Sequence, residues 1–442
     1  MADRPPLSLK AYRMASRLAM PALPRVLSRR LARGKEEAGR LQERYGIASR
    51  PRPAGPLVWF HTASVGELMA VLPLVERICD QGFAVLCTSG TVTSAALAQE
   101  RLPEGAIHQY VPLDVPRYVR RFLAHWRPDL ALFVESDLWP NLITATAARR
   151  VPMLVVNGRL SERSFRTWRR APKTIGALLS HVDLCLAQSP AHAQRYSDLG
   201  APRITTTGNL KLDGPSQPAD ESKLRALRFA IGSRPVIAAA STHPGEEDIV
   251  VAVHRELRER HPQLLTIIAP RHPERGDAVG AVAATAGLQV TLRSRGGIPG
   301  PRTDIYVADT LGELGLLYRL APVVFVGGSL VPHGGQNPVE PVKLGAAVLH
   351  GPHVANFQEI YDELDQAGGA VQITDGAGLA ARMDAWLRAP GDRRQAVAAA
   401  QATVERLGGA FGRTLAAIEP YLLQLRLQGS HGAGNGGHND HG

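Results

Sequence analysis

At 442 residues, 44% of them hydrophobic and 21% charged, the chain exceeds one ordinary core and suits two α/β domains of roughly 200 residues each. Aromatics at 5% argue against a protein that works by stacking nucleic-acid bases. The three cysteines (Cys79, Cys87 and Cys185) lie far apart inside apolar runs, which excludes a disulfide framework and a zinc site and points to a reducing compartment.

The net charge of +11 is uneven, because residues 1–50 hold 12 Lys/Arg against 4 Asp/Glu. No run reaches the ~18 apolar residues of a spanning helix, and Arg13, Arg17 and Arg25 interrupt what would be the apolar part of a secretory signal. Leu7–Leu31 instead mixes Leu, Met, Tyr and Ala with arginines. That composition suits a helix lying on an anionic membrane surface; a basic helix packed on the first domain has the same composition.

After the Pro/Arg-rich stretch 50–56, strand-like runs alternate with helix-length segments: Leu57–Phe60, Phe83–Thr88, Leu130–Val134, Met153–Val156, Leu184–Ala187 and Ile204–Thr207. The rhythm predicts βαβ units and a parallel sheet. A polar break at 213–222, with Gly214, Pro215 and Pro218, reads as a linker. The rhythm then restarts with Val236–Ala240, Leu265–Ala269, Val290–Leu292, Ile305–Val307, Val323–Val326, Ala347–Leu349 and Val371–Ile373. An alanine-rich helical stretch, 392–428, follows, and the Gly/His-rich 429–442 reads as a disordered tail. The expected order is a basic membrane-associated segment (1–50), a first Rossmann-like domain (51–212), a linker (213–234), a second Rossmann-like domain with closing helices (235–428) and the tail.

In parallel α/β sheets ligands collect beyond the carboxyl ends of the strands, so the residues just after each run matter most. His61-Thr-Ala-Ser64-Val-Gly-Glu67 follows the first strand. Ser64-x-x-Glu67 has capping-box spacing, which alone explains a helix start; a carboxylate at that turn could also take a proton from a hydroxyl. Glu135-Ser-Asp137-Leu-Trp139-Pro140-Asn141 crowds two acids, a Trp and an Asn at another strand end, where Asp137 and Pro140 could equally start a helix. Gly208-Asn209-Leu210-Lys211 ends the first domain with a lysine expected to point across an interdomain cleft, where a cation could stabilise developing negative charge.

In the second half, Ser241-Thr-His243-Pro-Gly-Glu246-Glu247 and Pro270-Arg271-His272-Pro-Glu-Arg275 follow successive strands, with Arg271 suited to a phosphate or carboxylate. Gly327, Gly328 and Ser329, then Asn337-Pro338-Val339-Glu340, suggest backbone amides and a helix start that receive an anion, with Glu340 on ribose hydroxyls. This is neither a G-x-x-x-x-G-K-[ST] loop nor a G-x-G-x-x-G turn. No cluster of metal-ligand residues stands out, and no metal or cofactor is expected.

Taken in order, H-T-A-S-V-G-E (61–67), E-S-D-L-W-P-N (135–141), N-G-R-L-S-E-R-S-F (157–165), G-N-L-K (208–211), A-P-R-H-P-E-R (269–275) and G-G-S-L…G-G-Q-N-P-V-E-P (327–341) resemble the 3-deoxy-D-manno-octulosonic acid (Kdo) transferases of Gram-negative bacteria, over roughly residues 40–425. The resemblance implies a GT-B glycosyltransferase fold, two Rossmann-like domains with parallel sheets facing a central cleft. It implies inverting transfer of Kdo from CMP-Kdo to the tetra-acylated lipid A precursor (lipid IVA) in lipopolysaccharide synthesis, at the cytoplasmic face of the inner membrane. On that likeness Glu67 is the general base, Glu135 and Lys211 help stabilise the transition state, and Pro270, Arg271, Leu311, Gly312, Glu313 and Asn337 to Glu340 hold CMP. The segment 159–173, with Arg163, Arg166, Arg169, Arg170 and Lys173 around Phe165 and Trp168, is expected to meet acceptor phosphates or anionic head groups, its aromatics at the interface; a solvated loop is the plainer reading.

Two positions depart from the family pattern, which often has His at 336 and Glu at 137, where this chain has Gln336 and Asp137. Both keep hydrogen-bonding capacity, so they bear on fine specificity. Another nucleotide-sugar enzyme of the same architecture, a UDP-sugar transferase or epimerase, is the nearest alternative. A basic nucleic-acid-binding protein fits poorly, because the charge is concentrated at the N-terminus without interleaved aromatics.

Overall fold

The computed structural model describes residues 5–214 and 219–434. The chain divides into two compact units, Met1–Gly214 with Gly408–Gly442, and Pro215–Leu407. In the first, β1 (Leu57–His61), β2 (Ala84–Ser89), β3 (Ala106–Tyr110), β4 (Leu130–Val134), β5 (Met153–Gly158), β6 (Leu184–Ala187) and β7 (Ile204–Thr206) form one sheet in the order β3-β2-β1-β4-β5-β6-β7. Every pairing is parallel. Runs such as Leu57-Val-Trp-Phe are buried throughout, as a strand covered by helices on both faces must be.

The second unit repeats the plan. Its strands β8 (Val236–Thr242), β9 (Leu265–Pro270), β10 (Val290–Leu292), β11 (Ile305–Val307), β12 (Val323–Val326), β13 (Ala347–His350) and β14 (Ala370–Gln372) run parallel in the order β10-β11-β9-β8-β12-β13-β14. In each sheet the first strand lies centrally and the order reverses beside it. That reversal leaves a crevice at the carboxyl ends, between β1 and β4 in one unit and between β8 and β12 in the other.

Many helices start where the sequence says they should. Ser64, Thr91, Ser161 and Ser189 each accept a backbone N–H as N-caps, and Pro116, Pro140, Pro172 and Pro190 sit in first turns. Three boundaries differ from expectation. Within 213–234, Glu221–Ile231 is a helix that packs in the second unit against Leu314–Leu320. The last helix, Ala410–Gly434, lies with the first unit rather than with the domain assigned to 235–428: Ala410, Ile418, Leu422 and Leu425 join the core beneath β1, β4 and β5. That helix carries on into the stretch read as a tail, while residues 435–442 lie outside the described residues.

The basic N-terminal segment packs through one face. Leu9 joins the core cluster that holds Trp59 and Phe122, and the Tyr12 hydroxyl donates to Asp114 (3.0 Å). Arg44 and Glu36, both buried, pair at 2.8 Å, so part of the local charge is neutralised internally. The other face leaves Leu7 82%, Met14 55% and Leu18 74% exposed among exposed Arg13 and Arg17. No helix among the described residues is long and apolar enough to cross a membrane.

Candidate active site

At the β1/β4 crevice the turns that follow two neighbouring strands carry the acids, the strand ends being aligned with His61 opposite Phe133 in register. Glu67 sits in the first turn of the helix Val65–Asp80. Its Oε2 accepts from the Ala63 N–H (2.6 Å) and its Oε1 from the Ser64 hydroxyl (2.9 Å), so the capping arrangement does form. The carboxyl is nevertheless far from an ordinary surface glutamate. Burial, with the neighbouring negative charges of Glu135 and Asp137, outweighs those hydrogen bonds and raises its pKa to about 7. A carboxylate of that proton affinity is well matched to general-base work near neutrality.

Glu135, the residue after β4, holds a positive φ of 60°. For a residue with a Cβ this is a strained backbone, of the kind that clusters at functional sites. The Tyr196 hydroxyl fixes it by donating to its carbonyl (2.9 Å). Its side chain meets Lys211, Nζ to Oε1 2.6 Å. Lys211 owes its position to two asparagines: Asn157 Oδ1 accepts from the Leu210 N–H (3.0 Å), and Asn209 Oδ1 from the Lys211 N–H (3.1 Å). Lys211 is thus half of an ion pair within the first unit, with the Glu135 it was expected to act beside. Asp137 completes the group, with its carboxyl pKa raised chiefly by burial.

In the second unit, Pro270, Arg271, Leu311, Gly312 and Glu313 line one shallow groove that opens to solvent. The Arg271 backbone N–H bonds the Thr242 carbonyl (3.0 Å), and its side chain is exposed. Glu313 is held by Arg293 (2.9 Å), Lys223 (2.8 Å) and the Thr310 hydroxyl (2.6 Å), and the Arg293 bonds chiefly bring its pKa down to about 2. Leu311 stands 82% exposed beside it.

The glycine loop after β12 departs from expectation. The N–H groups of Gly328 (2.7 Å), Ser329 (3.0 Å) and Leu330 (3.0 Å) do converge on an anion, but the anion is the buried carboxylate of Glu246. The His243 N–H donates to it as well (2.9 Å). A Cβ on Gly327 would lie 2.6 Å from the Ser241 carbonyl oxygen, so glycine is required there for packing. The Ser329 hydroxyl is internal too, accepting from the Gly351 N–H (2.8 Å). Gly327, Gly328 and Ser329 therefore build the floor of the β8/β12 crevice, and their amides are already taken. Asn337 to Glu340 start a helix of only 5 residues, with Asn337 Oδ1 accepting from the Val339 N–H (3.0 Å) and Pro338 and Val339 buried.

His243 joins two predicted segments that sequence spacing could not bring together. Its ring lies 3.7 Å from that of His333 and 6.1 Å from that of His272. Burial first, then the neighbouring histidines and Arg271 and Arg275, lower its pKa to about 4. Among the described residues no group of three or more His, Cys, Asp or Glu side chains is arranged to hold a metal ion.

On the helix Glu162–Arg169, the arginines Arg163, Arg166 and Arg169 are exposed, as is the following Arg170. The aromatics turn toward the core: Phe165 is buried and Trp168 packs partly buried against it. The apolar face of that helix is used for folding, leaving only the charged face outward.

Residues 39–214 match the family described as 3-Deoxy-D-manno-octulosonic-acid transferase (kdotransferase). The chain is 35% identical over 392 residues to a 3-deoxy-D-manno-octulosonic acid transferase of Haemophilus influenzae, covering 87% of this chain and 91% of that one. To the enzyme of the same name from Bordetella pertussis it is 37% identical over 385 residues, covering 85% and 90%. The crystal structure of a glycosyltransferase from Rickettsia africae shares the fold at 14% identity, with a TM-score of 0.58 over 84% of this chain and 99% of that one. With its paired parallel-sheet units of GT-B type and this degree of identity, the chain belongs to the 3-deoxy-D-manno-octulosonic acid transferase family of glycosyltransferases.

Proposed function

We propose that the protein transfers Kdo from CMP-Kdo to a hydroxyl of the lipid A precursor lipid IVA, with inversion at the anomeric carbon. Glu67 carries this reading, because a half-buried carboxyl with a pKa of about 7 is the base such a step needs. The acceptor oxygen attacks the anomeric carbon as Glu67 takes its proton, and CMP departs with the bonding electron pair. Lys211, oriented by Glu135 at 2.6 Å, supplies positive charge where negative charge develops. On the donor side the exposed Arg271 guanidinium takes the phosphate, and the groove with Leu311, Gly312 and Glu313, together with Asn337 to Glu340, takes the cytidine and ribose. All cationic work is given to side chains, and no metal or other cofactor is invoked.

The acceptor is an anionic lipid. Attachment to the cytoplasmic face of the inner membrane is assigned to the exposed apolar residues Leu7, Met14 and Leu18 with their arginines, aided by Arg163, Arg166, Arg169 and Arg170. Incubation with CMP-Kdo and lipid IVA, followed by mass spectrometry, tests the reading. It requires a lipid product heavier by one or more Kdo residues and release of CMP. Turnover of UDP-sugars in its place would show the donor assignment to be wrong.

A further inference from the structure

His61 ends β1 with 1% of its surface exposed, walled by the rings of Trp59 and Phe133. Its Nδ1 lies 3.0 Å from the Thr88 hydroxyl oxygen, which already accepts the Trp59 indole N–H at 2.9 Å. The hydroxyl's own proton has two outlets, His61 Nδ1 at 3.0 Å and the Phe60 carbonyl at 3.4 Å. The shorter one makes Nδ1 an acceptor and puts the ring proton on Nε2. Burial outweighs a hydrogen bond to the Thr88 backbone, brings the imidazole pKa down to about 4 and keeps the ring neutral.

On that tautomer Nε2, which has no hydrogen-bond partner, is a buried N–H. Such a group costs folding free energy and is rare in a finished core. The acid it faces is Asp137, Nε2 to Oδ2 3.8 Å, just too far for a hydrogen bond. Asp137 itself is 32% exposed, takes a hydrogen bond from the Trp139 side chain, and follows the strained Glu135 by two residues. A small movement of the 135–139 turn would close the gap, and the strain at Glu135 marks that turn as the element set for function rather than for stability.

We propose that His61 is a positioning residue acting through Asp137: its Nε2–H closes on the Asp137 carboxylate when the acceptor binds, and Asp137 accepts a hydrogen bond from an acceptor hydroxyl beside Glu67. The inference rests on the reading that the first unit takes the acceptor. Aspartate at this position is short enough to leave room for a sugar hydroxyl, and its electrostatic effect on Glu67 places it in the same pocket. Lys211 neutralises Glu135, so Asp137 is the carboxylate of this group left for a ligand hydroxyl.

The test is steady-state kinetics with separate variation of donor and lipid acceptor, on His61→Phe, His61→Gln, Asp137→Asn and the double variant His61→Phe/Asp137→Asn. His61→Phe keeps a flat ring but loses the donor, and His61→Gln restores an N–H of similar reach. Losing one such hydrogen bond predicts an acceptor KM raised roughly tenfold in His61→Phe and in Asp137→Asn, with donor KM unchanged. The double variant should be no worse than Asp137→Asn, and His61→Gln should recover most of the loss. Additive effects in the double variant, or a wild-type acceptor KM in Asp137→Asn, overturn the proposal. Should His61→Phe fail to fold, Asp137→Asn and His61→Gln still decide it. A wild-type protein with no transfer at all would instead remove the acceptor reading on which the pair rests, and the pair with it.

Discussion

Glu67 is both a helix cap and a carboxyl with high proton affinity, and the two roles are separable. Gln at 67 keeps the size and hydrogen bonding of a capping box but cannot take a proton. Glu67→Gln is therefore expected to lower kcat at least about a hundredfold while CMP-Kdo still binds. Because the base must be ionised, wild-type kcat should fall with one-proton slope below about pH 7. The stability sign runs the other way. A carboxyl whose folded pKa lies above its unfolded value holds more protons folded than unfolded between its ordinary value of 4.5 and about 7, so its contribution to stability is lost as pH rises through that window. Thermal melts at pH 8 should accordingly find Glu67→Gln at least as stable as wild type; a loss of stability with kcat retained would make Glu67 a cap and nothing more. The spacing 61–67 pointed to this residue, yet it could not separate the two roles. Burial decides that, reinforced by the charges of Glu135 and Asp137, which arrive from the turn after β4.

At the scale of elements, hydrophobic runs bounded by turn residues revealed thirteen of the fourteen strands among the described residues, and the missed one is informative. β3, Ala106-Ile-His-Gln-Tyr, is an edge strand with its first three residues only partly buried, so it lacks the continuous apolar run of a central strand. The glycine loop after β12 was legible as an anion cradle but not as an occupied one. Its anion comes from Glu246, which precedes Gly328 by 82 positions and reaches it only because β8 and β12 are neighbours. Glu246→Ala should leave four backbone donors without an acceptor, those of His243, Gly328 and Ser329 buried and that of Leu330 partly so. The expected cost is on the order of 4 kcal/mol, read as a lower urea midpoint for the second unit. A near-wild-type midpoint would mean that water or an external anion replaces the carboxylate there, and would restore the loop as a phosphate site.

For the molecule as a whole, the chain's closing segment matters most, because it returns to the unit where the chain began. Composition alone could not reveal this. An alanine-rich helix following the second sheet is as suited to one core as to the other, and proximity in sequence favours the wrong one. Specific contacts settle where it docks. Asp213 accepts the N–H groups of Gly409 (2.8 Å) and Phe411 (2.5 Å), and the Arg413 guanidinium donates to the Thr207 carbonyl (2.8 Å). Leu422, 1% exposed, lies in the same core cluster as Leu210, the neighbour of Lys211. Leu422→Ala should therefore destabilise the first unit by about 2–5 kcal/mol through lost burial and a residual cavity. Since Leu210 belongs to the same cluster, kcat should fall with Lys211 less well held, while CMP binding by the second unit stays unchanged. Hydrogen exchange followed segment by segment checks this directly: faster exchange is expected in β1, β4 and β5, and none in β8, β12 or β13. Faster exchange confined to the second unit would place the closing helix there after all.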